Sequence, residues 1–241
     1  NSYKTSTAIQ FMIECLNELS NYLKDNNGKL MLFYGKTENI INKLIYDLNI
    51  DILGFNLDIT PYAKERTKKV IKICETNNVS IIALNDYYLF QPGTIKVSSS
   101  NKAYTKFSPF FNYTKKVEYD KIDTYKIKNF KKNNYKNNIT LSEAKIKFIK
   151  FCENKKIFGS RNNGLDILNK IKKNKYNNYE NERNSLELNG TTLLSAYIKF
   201  GCLSIREVYW KFKEVLGSKN TLLAQLYWRE FYFYIAYFFP Y

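Results

Sequence analysis

The sequence contains no histidine among its 241 residues. Serine and cysteine nucleophiles of the Ser-His-Asp and Cys-His kinds, histidine metal sites and histidine proton shuttles all need an imidazole. The absence of histidine therefore excludes these sites from this segment. The four cysteines, Cys15, Cys74, Cys152 and Cys202, are widely spaced and match no metal-ligand pattern. They predict buried or unreactive thiols in a reducing compartment, and we expect no metal site.

Membrane-spanning runs and a secretory leader are also missing. The aromatic-rich run at residues 231–241 is shorter than the roughly 20 residues that a helix needs to cross a bilayer. The first residues, Asn1-Ser2-Tyr3-Lys4, contain neither an initiator methionine nor a charged-then-apolar leader. We therefore expect a soluble intracellular protein, cytoplasmic or nuclear and without membrane contact, and we expect this chain to be a segment of a longer one.

Basic residues, in contrast, are abundant and unevenly distributed. Lysine and arginine total 38 against 22 acidic residues, a formal net charge of +16. Residues 1–113 hold 13 basic and 10 acidic side chains, whereas residues 114–241 hold 25 and 12. This asymmetry indicates that the second half faces a polyanion. A general compositional bias toward lysine and asparagine is the alternative.

Periodicity in the first half alternates between helix and strand. Apolar residues recur at helical spacing over residues 6–25, and Thr60-Pro61 is a typical helix start, with threonine as the N-cap and proline at the first helical position. Short apolar runs at 29–33, 51–55 and 79–84 predict strands. Because parallel neighbours need crossover connections, strands separated by helices predict a doubly wound parallel sheet.

The second half has a different pattern. Residues 114–138 hold eight lysines against three acidic residues and show little periodicity, which predicts a basic linker. Thr140-Leu141-Ser142-Glu143 is a capping box that opens a helix, and the remainder is helical in pattern. We therefore predict an α/β domain over 1–113, an interdomain linker over 114–138 and an all-helical domain over 139–241.

Two groups of side chains in the helical half are candidates for binding. Thr191, Thr192 and Ser195 follow Gly190 at a predicted helix start. Hydroxyls and unpaired backbone N–H groups at such a start can bind phosphate, although an ordinary helix cap has the same pattern.

The second group lies on the aromatic-rich helix near the end of the chain. Gln225, Trp228, Arg229 and Tyr232 have the spacing i, i+3, i+4 and i+7, which places them on one helical face. Indole and phenol rings can stack on nucleobases, at roughly 1–3 kcal/mol per base, and arginine can bind phosphate in a bidentate fork. The alternative is a packed helix with Trp228 inside and Arg229 paired with Glu230 or another acid.

Several segments resemble, in the correct order, the motifs of the DNA photolyase and cryptochrome family. Residues 190–204 and 225–232 are similar to its flavin-domain signature. Residues 56–66 resemble its Asn-x-Asp-x-x-Pro-Tyr-x-x-x-Arg segment, and residues 90–93 and 104–110 resemble its loop motifs. The similarity covers nearly the whole chain.

The resemblance implies a fold and a set of roles. The fold is an α/β antenna-type domain with a doubly wound parallel sheet, followed by the linker and a truncated helical flavin-binding domain. The residues implied to hold flavin adenine dinucleotide (FAD) are Tyr179, Thr191, Thr192, Leu193, Leu194 and Ser195. The residues implied to contact DNA or the lesion are Arg183, Gln225, Trp228, Arg229 and Tyr232. No catalytic side chain is implied, because the cofactor carries the chemistry.

The function implied is that of a deoxyribodipyrimidine photolyase. Such a carbon–carbon lyase splits ultraviolet-induced cyclobutane pyrimidine dimers in double-stranded DNA. A monomer with FAD and an antenna chromophore of undetermined identity is expected. A cryptochrome-like blue-light photoreceptor, a six-four photolyase and an inactive DNA-binding remnant are the alternatives. Compared with the family pattern, the first strand and the segment after Tyr241 are missing, so we expect a fragment that is inactive alone; a split gene product or a degenerate remnant are the alternatives.

Overall fold

The computed structural model describes residues 5–119, 121, 130, 134–150, 157–172, 176, 178–185 and 190–240. The helices are α1 (Ser6–Asp25), α2 (Thr37–Leu48), α3 (Pro61–Thr76), α4 (Phe107–Thr114), α5 (Leu141–Phe148), α6 (Arg161–Asn169), α7 (Tyr179–Glu182), α8 (Ser195–Lys199), α9 (Ile205–Leu216) and α10 (Thr221–Phe238). The strands are β1 (Ile52–Asn56) and β2 (Ser80–Leu84).

The chain divides into two compact units, each built from both halves of the sequence. Unit 1 comprises Asn1–Tyr34 and Ile122–Ser204, and unit 2 comprises Gly35–Lys121 and Ile205–Tyr241. This division does not follow the predicted boundaries, because α1 packs with the middle of the chain and the last two helices pack with residues 35–121. Much of the predicted linker, at residues 120, 122–129 and 131–133, lies outside the described residues.

The parallel pairing predicted for the second and third apolar runs is confirmed in unit 2. Strand β1 pairs with β2 in a parallel register that runs from Ile52 opposite Ser80 to Asn56 opposite Leu84, and α3 forms the crossover between them. Leu53, Phe55 and Ile81 pack from the strands on a buried core. This core consists of Ile45 from α2, Val70 and Cys74 from α3, and Val79 just before β2.

The strand predicted at residues 29–33 is wrong. This segment is irregular in unit 1, and asparagine side chains form hydrogen bonds with backbone groups near its end. The N–H of Leu32 donates to Oδ1 of Asn137 at 3.2 Å and that of Tyr34 to Oδ1 of Asn138 at 2.7 Å. The Asn138 amide in turn donates to the Tyr34 carbonyl at 3.0 Å. The described part of the chain therefore has a two-stranded sheet in place of the doubly wound sheet.

The second core of unit 2 is aromatic and joins α10 to α4. Ile95, Phe110, Phe231 and Tyr234 form its buried part. The Tyr234 hydroxyl accepts a hydrogen bond from the backbone N–H of Tyr104 at 2.5 Å. The hydroxyl of this buried tyrosine therefore has a hydrogen-bond partner.

In unit 1, carboxylates of α1 hold the start of α6. The Glu14 carboxylate accepts from the N–H of Gly159 at 2.8 Å, and Glu18 accepts from the Ser160 hydroxyl at 2.7 Å and from the Arg161 N–H. A carboxylate at a helix N-terminus satisfies unpaired N–H groups and interacts favourably with the helix dipole. These bonds keep the pKa of Glu18 below its ordinary value, although burial opposes them. The predicted capping box of Thr140 and Glu143 is present and opens α5.

Gly159 lies where α1 comes closest to this segment, and its replacement tests how tight that contact is. A Cβ atom there would collide with the Phe11 carbonyl and lie 2.8 Å from Sγ of Cys15. We expect Gly159→Ala to lower the free energy of unfolding by about 1–3 kcal/mol through overpacking, measured by urea denaturation. Gly54→Ala is the matched control, because its Cβ would meet only the Ile82 carbonyl at 3.9 Å. Equal midpoints for the two variants would contradict the close contact.

Candidate functional site

The predicted flavin residues of unit 1 are brought together by a close contact at Gly190. A Cβ atom at this position would lie 2.6 Å from Cβ of Glu182 and 3.2 Å from its carbonyl. Glycine therefore allows the backbone before Thr191 to touch α7, the short helix that begins at Tyr179. The segment that begins at Tyr179 and the segment that carries the hydroxyl run thus meet at Glu182 and Gly190.

Tyr179 and Arg183 occupy opposite ends of this short helix. The Tyr179 side chain is buried, and burial raises the pKa of its phenol while Arg183 acts against that shift. Arg183 is exposed and donates its backbone N–H to the Tyr179 carbonyl at 2.9 Å. Arg183 therefore lies at the surface of unit 1.

The hydroxyl run differs in detail from the predicted helix cap. Helix α8 begins at Ser195 with Leu194 as its N-cap, so Thr191 and Thr192 precede the helix. The Thr192 hydroxyl accepts from the Leu194 N–H at 3.4 Å, and Thr191 and Ser195 are exposed. The prediction that Thr191-Thr192 caps the helix is wrong, because the chain turns once more before α8 starts.

That extra turn passes through an unusual backbone conformation. Leu193 has a φ of 56° and a side chain that is 44% exposed. The left-handed region is disfavoured for leucine, and residues held there cost on the order of 1–3 kcal/mol and cluster at ligand sites. Leu194, the next residue, is buried and anchors the turn in the core of unit 1.

Three contacts fix α8 in place, and sequence reasoning gave none of them a role. The Tyr197 hydroxyl donates to the Phe158 carbonyl at 2.9 Å, and its ring meets that of Phe11 edge-on at 5.1 Å. Arg161 donates from Nη1 to the carbonyl of Cys202 at 2.7 Å, just beyond the helix. Tyr197 lies within the stretch that resembles the family signature, whereas Phe11 and Arg161 are distant residues without a local signal.

In unit 2, α10 presents its predicted aromatic face as a stack. The Trp228 indole lies 3.6 Å from the Phe107 ring, centroid to centroid, at an interplanar angle of 9°. Tyr232 lies 5.8 Å from Trp228 at 29° and is 65% exposed. Trp228 and Gln225 are half-buried. One face of the indole is therefore covered by phenylalanine, and Tyr232 is the outermost ring of the stack.

Arg229 is turned inward, in the arrangement named above as the alternative. Its Nη1 pairs with Oε1 of Glu230 at 2.5 Å, and its Nη2 donates to the Tyr87 carbonyl at 3.1 Å. The guanidinium carbon also lies 4.4 Å from the centroid of the Tyr87 ring and 4.7 Å from that of Phe233. With 18% of its side chain exposed, Arg229 would have to leave these partners before it could bind DNA.

Glu230 is the buried partner of this network. Its side chain is 1% exposed, and Oε2 accepts from the backbone N–H of Leu89 at 2.9 Å. Burial raises the pKa of its carboxyl to about 7, although the Arg229 charge and the hydrogen bond from Leu89 act in the opposite direction. Sequence reasoning named Glu230 only as a partner for Arg229.

Within the described ranges, no cluster of three or more histidine, cysteine, aspartate or glutamate side chains could hold a metal ion. None of the helices in these ranges is both long enough and apolar enough to cross a membrane.

Comparison with known proteins places these features in context. The family model described as DNA photolyase matches residues 2–126. The chain is 30% identical over 231 residues to the deoxyribodipyrimidine photo-lyase of Buchnera aphidicola subsp. Baizongia pistaciae. The aligned region covers 88% of this chain and 47% of that protein. It is 26% identical over 249 residues to cryptochrome-2 of Gallus gallus, over 93% of this chain and 42% of that protein.

A solved structure matches as well. The archaeal photolyase from Sulfolobus tokodaii, crystallised with two FAD molecules, superimposes with a TM-score of 0.82 and 28% identity, over 100% of this chain and 50% of that chain. The chain thus spans about half the length of the curated relatives it matches.

The Glu230 environment predicts a pH dependence of stability. Between its ordinary value of 4.5 and the folded-state pKa of about 7, the folded protein keeps a proton that the unfolded chain releases. The free energy of unfolding should therefore fall as pH rises through this window, measured by urea denaturation at each pH. We expect Glu230→Gln to flatten that part of the profile and the exposed control Glu214→Gln to leave it unchanged. An identical slope in wild type and Glu230→Gln would contradict this origin.

Proposed function

Because the chain belongs to the DNA photolyase and cryptochrome family, we propose that it serves light-driven repair of ultraviolet-induced cyclobutane pyrimidine dimers in double-stranded DNA, with FAD as cofactor. The observation that carries this proposal is the contact of Gly190 with α7. Through Glu182 this contact brings α7, the helix that begins at Tyr179, against the residue that precedes the hydroxyl run. The family resemblance implies flavin contacts in both segments, and their proximity supports the proposal.

The residues of these two segments fit the polar part of FAD. Thr191, Thr192 and Ser195 offer hydroxyls that can donate to phosphate and ribityl oxygens. The buried Tyr179 phenol, with its raised pKa, stays protonated at neutral pH and so can donate a hydrogen bond. When bound, the reduced flavin supplies, after light absorption, the electron that opens the dimer ring.

DNA binding is supported by α10 and by the charge of the chain. A stack of Phe107, Trp228 and Tyr232 is already ordered before any base arrives. A base extruded from the duplex would thus meet a rigid aromatic platform, and less entropy would be lost on binding. The net charge of +16 favours a polyanion and makes the affinity fall steeply with salt.

The functions of other members of the family are the alternatives to this proposal. A photoreceptor is favoured by the similarity to cryptochrome-2 across 93% of this chain, although a receptor without repair needs no surface for a polyanion. A six-four photolyase is favoured by Gln225 and by the run at 200–204, although these residues resemble the animal cryptochromes of the same branch equally. An inactive remnant would bind DNA without FAD.

The deciding experiment illuminates the reduced, full-length gene product with oligonucleotides that carry a single lesion. Blue light should remove cyclobutane dimers, while dark samples and six-four lesions should remain unchanged. Loss of six-four lesions instead would assign the protein to that branch. A yellow protein that repairs neither lesion would be a photoreceptor, and a colourless protein with salt-sensitive DNA affinity would be a remnant.

The aromatic stack predicts unequal effects when Tyr232, its outermost ring, and Trp228, its middle ring, are each removed. Tyr232→Ala should weaken binding of dimer-containing DNA by about 1–3 kcal/mol without lowering Tm, because the ring is exposed and stacks on a base. Trp228→Ala should weaken binding and also lower Tm, since the Phe107 contact is lost. Fluorescence anisotropy and thermal unfolding provide the two measurements.

The matched control for these variants is Tyr46→Ala. This tyrosine is 82% exposed on α2 of the same unit, so its removal changes the surface equally without touching the stack. An unchanged affinity in Tyr232→Ala, together with a Trp228→Ala variant that loses only stability, would show that α10 merely packs and does not bind the lesion.

A further inference from the structure

The fold of unit 1 brings together two cysteines that the sequence analysis treats as unrelated. The sulfur atoms of Cys15, in α1, and Cys202, in the turn after α8, lie 3.1 Å apart, although 187 positions separate the residues. A disulfide bond measures about 2.05 Å, so the sulfurs would have to approach by only about 1 Å to be joined. Both are free cysteines in the structure.

Hydrogen bonds around the two cysteines hold both Cys15 and Cys202 in position. Glu14 and Glu18, which flank Cys15 on α1, bind the segment 159–161 through its N–H groups and the Ser160 hydroxyl. Arg161, in the same segment, donates to the carbonyl of Cys202 at 2.7 Å. The Cys202 N–H donates to the Tyr197 carbonyl at 2.9 Å. The pair is therefore fixed by a continuous set of bonds between α1, the start of α6 and the end of α8.

Charges near the two sulfurs make them chemically unequal. Hydrogen bonding with Cys202 and burial raise the pKa of the Cys15 thiol, and the carboxylates of Glu18 and Glu14 add to this. The hydrogen bond with Cys15 lowers the pKa of Cys202, and Arg161 contributes in the same direction, whereas burial and the Glu18 carboxylate oppose both. Cys202 is thus the thiol that ionises first, with Cys15 as the proton-bearing neighbour. A thiolate is the form that reacts with oxidants.

We propose that Cys15 and Cys202 form a peroxide-sensitive pair that closes to an intramolecular disulfide. In the first step the Cys202 thiolate attacks one oxygen of hydrogen peroxide, which gives a sulfenic acid and hydroxide. In the second step the Cys15 sulfur attacks the Cys202 sulfur, the S–S bond forms, and the sulfenic hydroxyl leaves as water with the Cys15 proton. Hydroxide takes a proton from solvent. Two thiols are oxidised by two electrons, and one peroxide is reduced to two waters.

The bond would tie α1 to the end of the helix that carries Ser195. Cross-links between residues far apart in sequence restrict the unfolded chain most strongly. The oxidised protein should therefore unfold at a higher temperature than the reduced protein. Cys15 is half-buried and Cys202 is buried, which favours a small oxidant such as peroxide over a bulky disulfide.

The test treats the reduced wild-type chain with hydrogen peroxide, blocks the remaining thiols with N-ethylmaleimide and maps the unreduced peptides by mass spectrometry. A peptide pair linked through Cys15 and Cys202 is expected, together with a rise in Tm that dithiothreitol reverses. Neither FAD nor DNA is present, so the outcome does not depend on the proposed repair function.

Two variants distinguish a specific disulfide between Cys15 and Cys202 from unspecific oxidation of the cysteines. Cys15→Ser should abolish both the link and the rise in Tm, and the control Cys74→Ala should keep both, since Cys74 lies in the core of unit 2. The wild-type digest decides even where a variant fails to fold. Peroxide-treated protein in which Cys15 and Cys202 are blocked or over-oxidised without a link would overturn the proposal. Links of Cys15 to Cys74 or Cys152 at equal yield would overturn it as well.

Discussion

The buried carboxyl group of Glu230 fixes how α10 packs in unit 2. Removing a charge from water costs several kcal/mol unless it is paired and hydrogen-bonded. Arg229 and the N–H of Leu89 supply part of that compensation for Glu230, and burial still raises the pKa of its carboxyl to about 7. Because side chains on a helix keep fixed angles to one another, directing Glu230 inward sets the rotation of α10. This rotation places Trp228 on Phe107 and leaves Tyr232 exposed.

Unit 1 follows the same principle with different groups. Glu14 and Glu18 compensate for their partial burial by binding N–H groups at the start of α6, and glycines at 159 and 190 allow backbones to approach where a Cβ atom would collide. The hydroxyl run is thereby supported by rigid elements, although its own backbone is strained at Leu193. Support of this kind positions binding groups more accurately than a mobile loop does.

These features explain how a chain without histidine can belong to a family that includes enzymes. When a cofactor carries the reactive electrons, the protein needs hydroxyls for phosphates, aromatic faces for bases and positive charge for the DNA backbone, and none of these requires an imidazole. Unit 1 contains the hydroxyls and unit 2 the aromatic stack. The thiol pair adds a chemistry of its own, in which the protein, not the cofactor, is oxidised.

Local patterns of sequence were sufficient for helices such as α1, α3, α5 and α10, for the parallel pair β1 and β2 and for the family, because periodicity, caps and motif order depend on neighbouring residues. They did not predict α4, which begins at Phe107 within a segment that resembles a loop motif of the family. They failed at residues 29–33, where the side chains of Asn137 and Asn138 take the backbone groups that a strand would pair. The inward turn of Arg229, the division into two units and the meeting of Cys15 with Cys202 also had no local signal. Each depends on which residues from distant parts of the sequence pair with a buried charge, accept a hydrogen bond from an N–H or pack closely against a backbone. Folding of the whole chain determines those partners.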